Sequence, residues 1–295
     1  MSTIKTVAVA GASGNLGPPI VKQLVEDGFK VTVLTRKGAS HTFPPAVAVT
    51  EIDYESPESL VEALKGQDAV VSTIGFAGLP QQLPLIQAAV KAGVKRFVPS
   101  EFGSDAENAA AIALPPFGPK KAAAEALAKE AAAGTITYTL VSTGPFLDMA
   151  LAHGMFVNLK SKSANLWNGG GQTFSTTTVA SVARAVAGVL RHPEETRNRN
   201  VHVHSASTTQ NALLAKAKKA VGADGWETTV VSTDDALKKA YAALEKGEVD
   251  RIGFISTVIW DGKYGSDFKK VDNDLLGVHE LTDAELQSLV DSFAK

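Results

Sequence analysis

Short apolar runs alternate with longer amphipathic segments through the first 147 residues of the chain. The runs are rich in valine, isoleucine and leucine, which is typical of strands buried on both faces of a sheet. Strands are predicted at residues 7–10, 29–34, 47–52, 68–74, 94–99 and 137–142. Helices are predicted at residues 18–28, from 57 onward, at 81–92 and at 120–132. This alternation predicts an α/β protein with a parallel, doubly wound sheet and right-handed crossovers.

The pattern is less regular after residue 147. Helices are predicted at residues 179–190, 209–221 and 234–244, the last of them capped by Thr233 or Asp234. Thr282 and Glu285 form a capping box that predicts one more helix. A short strand predicted at residues 201–205 returns to the main sheet. We therefore expect a sheet domain at residues 1–147 and a smaller part at 148–295 that covers the carboxyl edge of the sheet.

Glycines recur at every third position between the first predicted strand and the first predicted helix. Gly11 permits a tight turn, Gly14 lets the backbone approach a phosphate, and Gly17 lets the helix pack closely on the strand. The helix N-terminus that follows favours an anion. An ordinary glycine-rich turn is the alternative, but the position at the first strand–helix junction favours a diphosphate site. The whole turn reads Gly11-Ala12-Ser13-Gly14-Asn15-Leu16-Gly17.

Two basic residues follow the second predicted strand. Arg36 lies roughly 20 residues after the glycine turn, where an NAD-specific fold usually places an acid that bonds the ribose 2′-hydroxyl. The pair Arg36 and Lys37 would instead meet the 2′-phosphate of NADP. The alternative is a solvated basic turn. The pair therefore predicts NADPH or NADP as the cofactor.

Three further strands end in short segments that carry glycine or polar residues. Carboxyl ends of parallel strands meet at one edge, where open α/β sheets bind their ligands. We therefore predict a Rossmann-type, NAD(P)-binding domain at residues 1–147 and a substrate-binding domain at 148–295. The three segments are Thr73-Ile74-Gly75-Phe76, Ser100-Glu101-Phe102-Gly103 and Thr143-Gly144-Pro145-Phe146.

Composition narrows the partners of the protein. The 295 residues carry a net charge of −2, so nothing in the sequence favours nucleic acid or an anionic membrane as a partner. Cysteine is absent, which excludes disulfides and thiolate chemistry. We find neither a signal peptide nor an apolar run of the ~20 residues that a membrane span needs. A cytosolic protein is therefore expected.

Catalytic candidates are few. His202 and His204 share a strand face, but no third metal ligand is evident nearby, so no metal site is expected. Many reductases of this architecture use a tyrosine four residues before a lysine, and none of the four tyrosines has that partner. Lys120 and Lys121 remain, at a helix start where the dipole and partial desolvation lower the pKa of an ammonium group. The alternative is a pair of solvated surface lysines, which position alone favours.

The chain resembles NmrA-like members of the atypical short-chain dehydrogenases, close to the isoflavone reductase-like branch. The resemblance covers the first half well and the second half more loosely, through residues 260–277. Its most specific piece spans residues 94–103 and reads Val94-Lys95-Arg96-Phe97-Val98-Pro99-Ser100-Glu101-Phe102-Gly103. The other matching pieces are the glycine turn, Arg36, Phe117-Gly118-Pro119-Lys120 and Thr143-Gly144-Pro145-Phe146.

The resemblance implies an NADPH-dependent reductase for aromatic, phenylpropanoid-like or isoflavonoid-like small molecules. It implies that Lys120 is the general acid or base and also contacts the cofactor. Ser100 and Phe102 would lie by the nicotinamide, and Phe102 and Phe146 would contact the substrate. Thr143 is a departure, because relatives usually carry asparagine beside the cofactor at that position.

A second hypothesis is a regulator that senses NADP(H) without turnover, since NmrA-like proteins include such members. The presence of Lys120 favours the enzyme, and Thr143 mildly favours the sensor. The expected partner is a small aromatic molecule, and the protein is expected to be a monomer or a homodimer.

Overall fold

The computed structural model describes residues 3–39 and 41–294, so the outer ends of the two predicted domains, residues 1 and 295, lie outside the described residues. Within the described residues the strands are β1 (Thr6–Ala10), β2 (Lys30–Arg36), β3 (Ala48–Ile52), β4 (Ala69–Ser72), β5 (Arg96–Val98), β6 (Thr137–Ser142), β7 (Ser163–Trp167), β8 (Phe174–Thr176), β9 (Arg199–His202), β10 (Ala206–Thr208) and β11 (Glu227–Val231).

The same residues form α1 (Gly17–Glu26), α2 (Pro57–Leu64), α3 (Gln82–Lys91), α4 (Ala109–Ile112), α5 (Gly118–Ala132), α6 (Leu147–Ala152), α7 (Val179–Arg191), α8 (Gln210–Val221), α9 (Thr233–Glu245), α10 (Arg251–Trp260), α11 (Asn273–Leu276) and α12 (Asp283–Ser292). Two short 3-10 helices span Phe76–Gln81 and Pro115–Phe117.

Seven strands form the main sheet, in the order β3-β2-β1-β4-β5-β6-β9. Every pairing between these neighbours is parallel. Strand order reverses between β1 and β4, so a crevice for a ligand opens outside their carboxyl ends. The predicted fold class, a doubly wound parallel α/β sheet, is confirmed.

Helices cover both faces of the sheet. The apolar sides of α1 and α7 pack in one buried cluster with the strands, and those of α2, α3 and α5 pack in a second. The helix α7 and the strand β9 come from beyond residue 147, yet both belong to this three-layer body, because β9 pairs with β6 and α7 packs on α1. The division of the chain at residue 147 stays a prediction.

The second half also forms a smaller core of its own. Its aromatic centre holds Trp260, stacked at 5.6 Å on Trp167, with Phe156 and Phe174 at its edges. Two small sheets, β8 with β10 and β7 with β11, complete this region. No helix of the described residues is long and apolar enough to cross a bilayer.

The predicted cap of α9 is wrong. Ser232 Oγ accepts the hydrogen bond from the backbone N–H of Asp235 at 3.2 Å. Thr233 instead accepts a bond from Asn168 Nδ2 at 2.7 Å and donates to Asp261 at 3.2 Å. Tertiary partners have therefore taken the hydroxyl that the sequence favoured for the cap.

Candidate functional site

The glycine turn passes tightly against the carboxyl end of β4. Gly11 has φ +78°, and a Cβ there would lie 2.7 Å from the carbonyl carbon of Thr73. A Cβ on Gly17 would lie 2.2 Å from the carbonyl group of Ala12. No side chain fits at either position, so both glycines are required by backbone contacts. A Cβ on Gly14 would lie 3.3 Å from the carbonyl oxygen of Gly11, so Gly14 is less tightly enclosed than the other two glycines.

The N-terminus of α1 departs from the expected phosphate site in one respect. Pro18 and Pro19 follow Gly17 directly, so two residues of the first turn have no N–H group. Ile20 already donates to the carbonyl oxygen of Leu16 at 3.1 Å. The donors for an anion at this end therefore belong to the loop before the helix, and the helix itself contributes its dipole.

A cleft of about 940 Å³ lies beside this turn. It collects, from three strand ends, most of the residues predicted for the cofactor. Arg36 ends β2 and is exposed, as is Lys37 after it. The predicted residues that line the cleft are Gly11, Ala12, Ser13, Gly14, Arg36, Lys37, Thr73, Ile74, Gly75 and Phe76.

Other residues of the cleft were not predicted. Tyr54 follows β3 and lines the wall near Arg36. Burial raises the pKa of the Tyr54 hydroxyl to about 12, although the Arg36 charge opposes that shift. The phenol is therefore neutral at physiological pH and can act as a hydrogen-bond donor.

Arg251 reaches the same cleft from the second half of the chain. It is the first residue of α10, and its guanidinium carbon lies 4.5 Å from the centroid of the Phe76 ring. This is the geometry of a cation–π contact. Sequence patterning missed α10 because the helix is buried on more than one side: Phe254 and Val258 pack in one cluster, and Ile259 and Trp260 in another.

The segment after β5 is tied to the wall of the cleft. Ser100 Oγ donates to the carbonyl oxygen of Ile74 at 2.8 Å, and the Ser100 N–H donates to Gln82 Oε1 at 2.7 Å. Ile74 lines the cleft, whereas Ser100 stands behind it. The predicted nicotinamide-side segment is therefore held at a fixed place relative to the glycine turn.

Three more predicted site residues, Phe102, Thr143 and Phe146, follow β5 and β6. Phe102 has φ +39°, its N–H donates to the carbonyl oxygen of Val141 at 3.0 Å, and its ring is buried in the core cluster of α1 and α7. Phe102 is not among the residues that line the cleft, and its predicted contacts with cofactor and substrate stay a prediction. Thr143 is fully buried, and its hydroxyl donates to the carbonyl oxygen of Gly144 at 2.8 Å. Phe146 is half-buried just before α6.

Lys120 is half-buried and Lys121 is exposed, which separates the two candidates. Lys120 Nζ donates to the carbonyl oxygen of Glu101 and lies 4.0 Å from Oε2 of the same residue. The side chains of Lys120 and Glu101 are 17% and 7% exposed, whereas that of Lys121 is 49% exposed and faces Glu125. The interpretation of Lys120 as a solvated surface lysine is therefore wrong.

Burial shifts both partners of this pair. It lowers the pKa of the Lys120 ammonium group, and the Glu101 charge opposes that shift. It raises the pKa of the Glu101 carboxyl group, and the Lys120 charge opposes that shift. Both groups are thus moved towards the range in which they can exchange a proton at physiological pH.

The two histidines have separate partners. His202 Nε2 lies 3.0 Å from Asp105 Oδ1, and His204 bonds Ser175 Oγ at 2.9 Å. Among residues 3–39 and 41–294, no group of three or more histidine, aspartate or glutamate side chains could hold a metal ion.

Known proteins are similar to this chain in sequence and in fold. A family model described as the NmrA-like family matches residues 3–244. A relative named oxidoreductase aprR, from Aspergillus flavus, is 37% identical over 271 residues, which is 90% of either chain. A solved structure described as AtPrR2 with NADP+ and (+)pinoresinol has a TM-score of 0.76 at 24% identity and covers 99% of both chains. An isoflavone reductase structure has a TM-score of 0.76 at 22% identity and covers 99% of this chain and all of its own. At these identities, the two structures show likeness of fold.

Proposed function

Since the chain belongs to the NmrA-like family, as its motifs predicted, we propose that it is an NADPH-dependent oxidoreductase that delivers hydride to an aromatic small molecule. The observation that supports this most is the position of Lys120. Its ammonium group lies 4.0 Å from the carboxyl group of Glu101, a residue of the segment that Ser100 ties to the cleft wall. Lys120 lines a separate cavity of about 260 Å³ with Glu101 and does not line the cleft. A half-buried lysine whose pKa is lowered fits a proton donor better than a structural residue.

The residues of the cleft fit a dinucleotide with a 2′-phosphate. The glycine turn lines the cleft with Gly11, Ala12, Ser13 and Gly14, which carry no side chain or a small one. Arg36 and Lys37 would hold the 2′-phosphate through charge-assisted hydrogen bonds. When bound, NADPH supplies the hydride. The relative AtPrR2, described with NADP+, supports this choice of cofactor.

Lys120 would supply the proton that accompanies the hydride. Nζ carries the proton, and burial lowers the pKa of the ammonium group, so the proton is released more readily than from a solvated lysine. The hydrogen bond from Nζ to the Glu101 carbonyl oxygen fixes the direction of the side chain. An atom of the substrate that gains electron density during reduction would accept this proton.

An aromatic substrate is supported by the pinoresinol of the AtPrR2 structure and by the half-buried Phe146 near the end of β6. The second candidate is a sensor of NADP(H) that does not turn over. One observation favours it: the Thr143 hydroxyl already bonds the carbonyl oxygen of Gly144, so it is engaged within the chain.

A panel of aromatic ketones, enones, quinones and phenylpropanoid ethers tests the proposal through the absorbance of NADPH. We expect turnover with at least one class, and a loss of about a hundredfold or more in Lys120→Met. NADPH affinity should change much less, because a general acid acts mainly in the transition state. Lys121→Met is the matched control and should retain activity, since its side chain is exposed. Tight NADPH binding without oxidation across the whole panel would favour the sensor.

A further inference from the structure

The carboxyl group of Glu101 is held beside Lys120 by a backbone that has little freedom to move. The N–H of Glu101 donates to the carbonyl oxygen of Pro99 at 2.8 Å. The next residue, Phe102, adopts φ +39°, which non-glycine residues rarely do, and its ring is anchored in the core. Because packing holds Phe102 in this conformation, the backbone next to Glu101 is fixed, and so is the direction of the Glu101 side chain. Glu101 is thus placed by the fold.

The pair is not closed off from water. A second cavity, of about 260 Å³, lies between α4, α5 and the strands β6 and β9, and both Glu101 and Lys120 line it. Its outer wall contains Lys121 and Glu125, which are 49% and 68% exposed. Lys120 therefore has access to solvent through this cavity, whose lining differs from that of the cofactor cleft.

We propose that Glu101 is a positioning residue that keeps Lys120 protonated and directed for the reaction, and that the second cavity returns the proton that Lys120 gives away. This inference rests on the proposed function. Each turnover adds a hydride and a proton to the substrate, so Lys120 is left as a neutral amine. A proton taken up from bulk solvent and relayed through the second cavity can protonate the amine again, and the Glu101 carboxylate stabilises the ammonium group that results.

Other charged groups also face this cavity. Asp105 and Glu107 line it from the loop before α4, and Lys121 and Glu125 line it from α5. Asp105 is bonded to His202, and Lys121 lies 3.9 Å from Glu125. Each of these groups has a partner other than Lys120 or is more exposed than Glu101. Glu101 is therefore expected to have the largest influence on the charge of Lys120.

The charge of Lys120 can be followed directly, with no need for a substrate. In the full-length protein labelled with 13C-lysine, the Lys120 Cε signal is assigned by its loss in Lys120→Met and then titrated. Glu101→Gln should lower the titration midpoint by about one pH unit or more, because an opposite charge at this distance stabilises the ammonium form by that scale. Glu101→Asp should retain most of the wild-type midpoint, and Glu125→Gln, the matched control, should leave it unchanged.

Kinetics provide the second readout. The alkaline limb of the kcat profile should shift to lower pH in Glu101→Gln, by the same amount as the midpoint, while KM and NADPH affinity change little. An unchanged midpoint in a folded Glu101→Gln would overturn the inference. So would a shifted midpoint with an unchanged pH profile. If the wild-type protein has no turnover, the proposed function fails, and the titration alone then decides whether Glu101 sets the charge of Lys120.

Discussion

Arg36→Ala is the substitution that most directly tests the choice between NADPH and NADH. Arg36 is exposed and lines the cleft together with Lys37, Asp53 and Glu55. A phosphate carries close to two negative charges, and a pair of unit charges at ~4 Å is worth about 1 kcal/mol in water and about 4 kcal/mol near a protein surface. Arg36 is exposed, and the negative charges of Asp53 and Glu55 weaken the attraction of the site for a phosphate. The lower part of that energy range therefore applies. We expect NADPH to bind at least about tenfold more tightly than NADH, or about 1.4 kcal/mol.

Calorimetry with both cofactors measures this gap. Arg36→Ala should remove most of this difference in affinity, because it weakens the binding of NADPH and leaves the binding of NADH nearly unchanged. Added salt should reduce the difference in the wild-type protein. Lys30→Ala is the matched control, because Lys30 is exposed at the opposite end of the same strand. Equal affinities of the wild-type protein for the two cofactors would refute the reasoning, and so would an Arg36→Ala protein that keeps the gap.

Two further substitutions test the cleft and the sheet. Arg251→Ala should weaken NADPH binding about threefold in calorimetry, because Arg251 and Phe76 line the cleft and form a cation–π contact there. Lys239→Ala on the neighbouring helix should leave the affinity unchanged. Asp68→Asn should lower the free energy of unfolding at pH 7 by about 2 kcal/mol in urea titrations. Burial by itself raises the pKa of the Asp68 carboxyl group. Lys95 and the backbone N–H groups of Lys5 and Thr6 together have a larger, opposite effect, so the pKa is lowered to about 2. The stabilisation from ionised Asp68 is fully present above the pKa of Asp68 in the unfolded chain, and it is lost as the pH falls through the pKa in the folded protein. Between about pH 5 and pH 2 the Asp68→Asn variant should therefore lose less stability than the wild type.

The sheet could be predicted from the sequence because its strands are buried on both faces. In β1, Val7 to Ala10 have no exposed surface, which produces the continuous apolar run that the prediction used. The glycine turn was predictable for a related reason, since contacts at Gly11 and Gly17 exclude any side chain. Constraints that act within one segment can therefore be detected in the sequence alone.

The position of Arg251 and the pairing of Glu101 with Lys120 depend on contacts between segments that are distant in the sequence. The helix α10 shows no clear amphipathic period because two clusters bury it, so the position of Arg251 over Phe76 could not be predicted. Glu101 belonged to a matching segment, but only the fold places its carboxyl group 4.0 Å from Lys120. Position on a helix predicted that Lys120 and Lys121 were both solvated, and tertiary packing partly buries Lys120.

Transfer of deuterium from the cofactor tests the central claim most directly. NADPH that carries deuterium at both C4 positions is incubated with the wild-type protein and the best substrate of the panel, and the product is analysed by mass spectrometry. With a ketone, enone or ether substrate, which receives the hydride on carbon where it does not exchange with water, we predict that one deuterium appears in the product for each NADPH oxidised, and that Lys120→Met slows its appearance by about a hundredfold or more. A product formed without deuterium, or a protein that binds NADPH and transfers none to any member of the panel, would contradict the account.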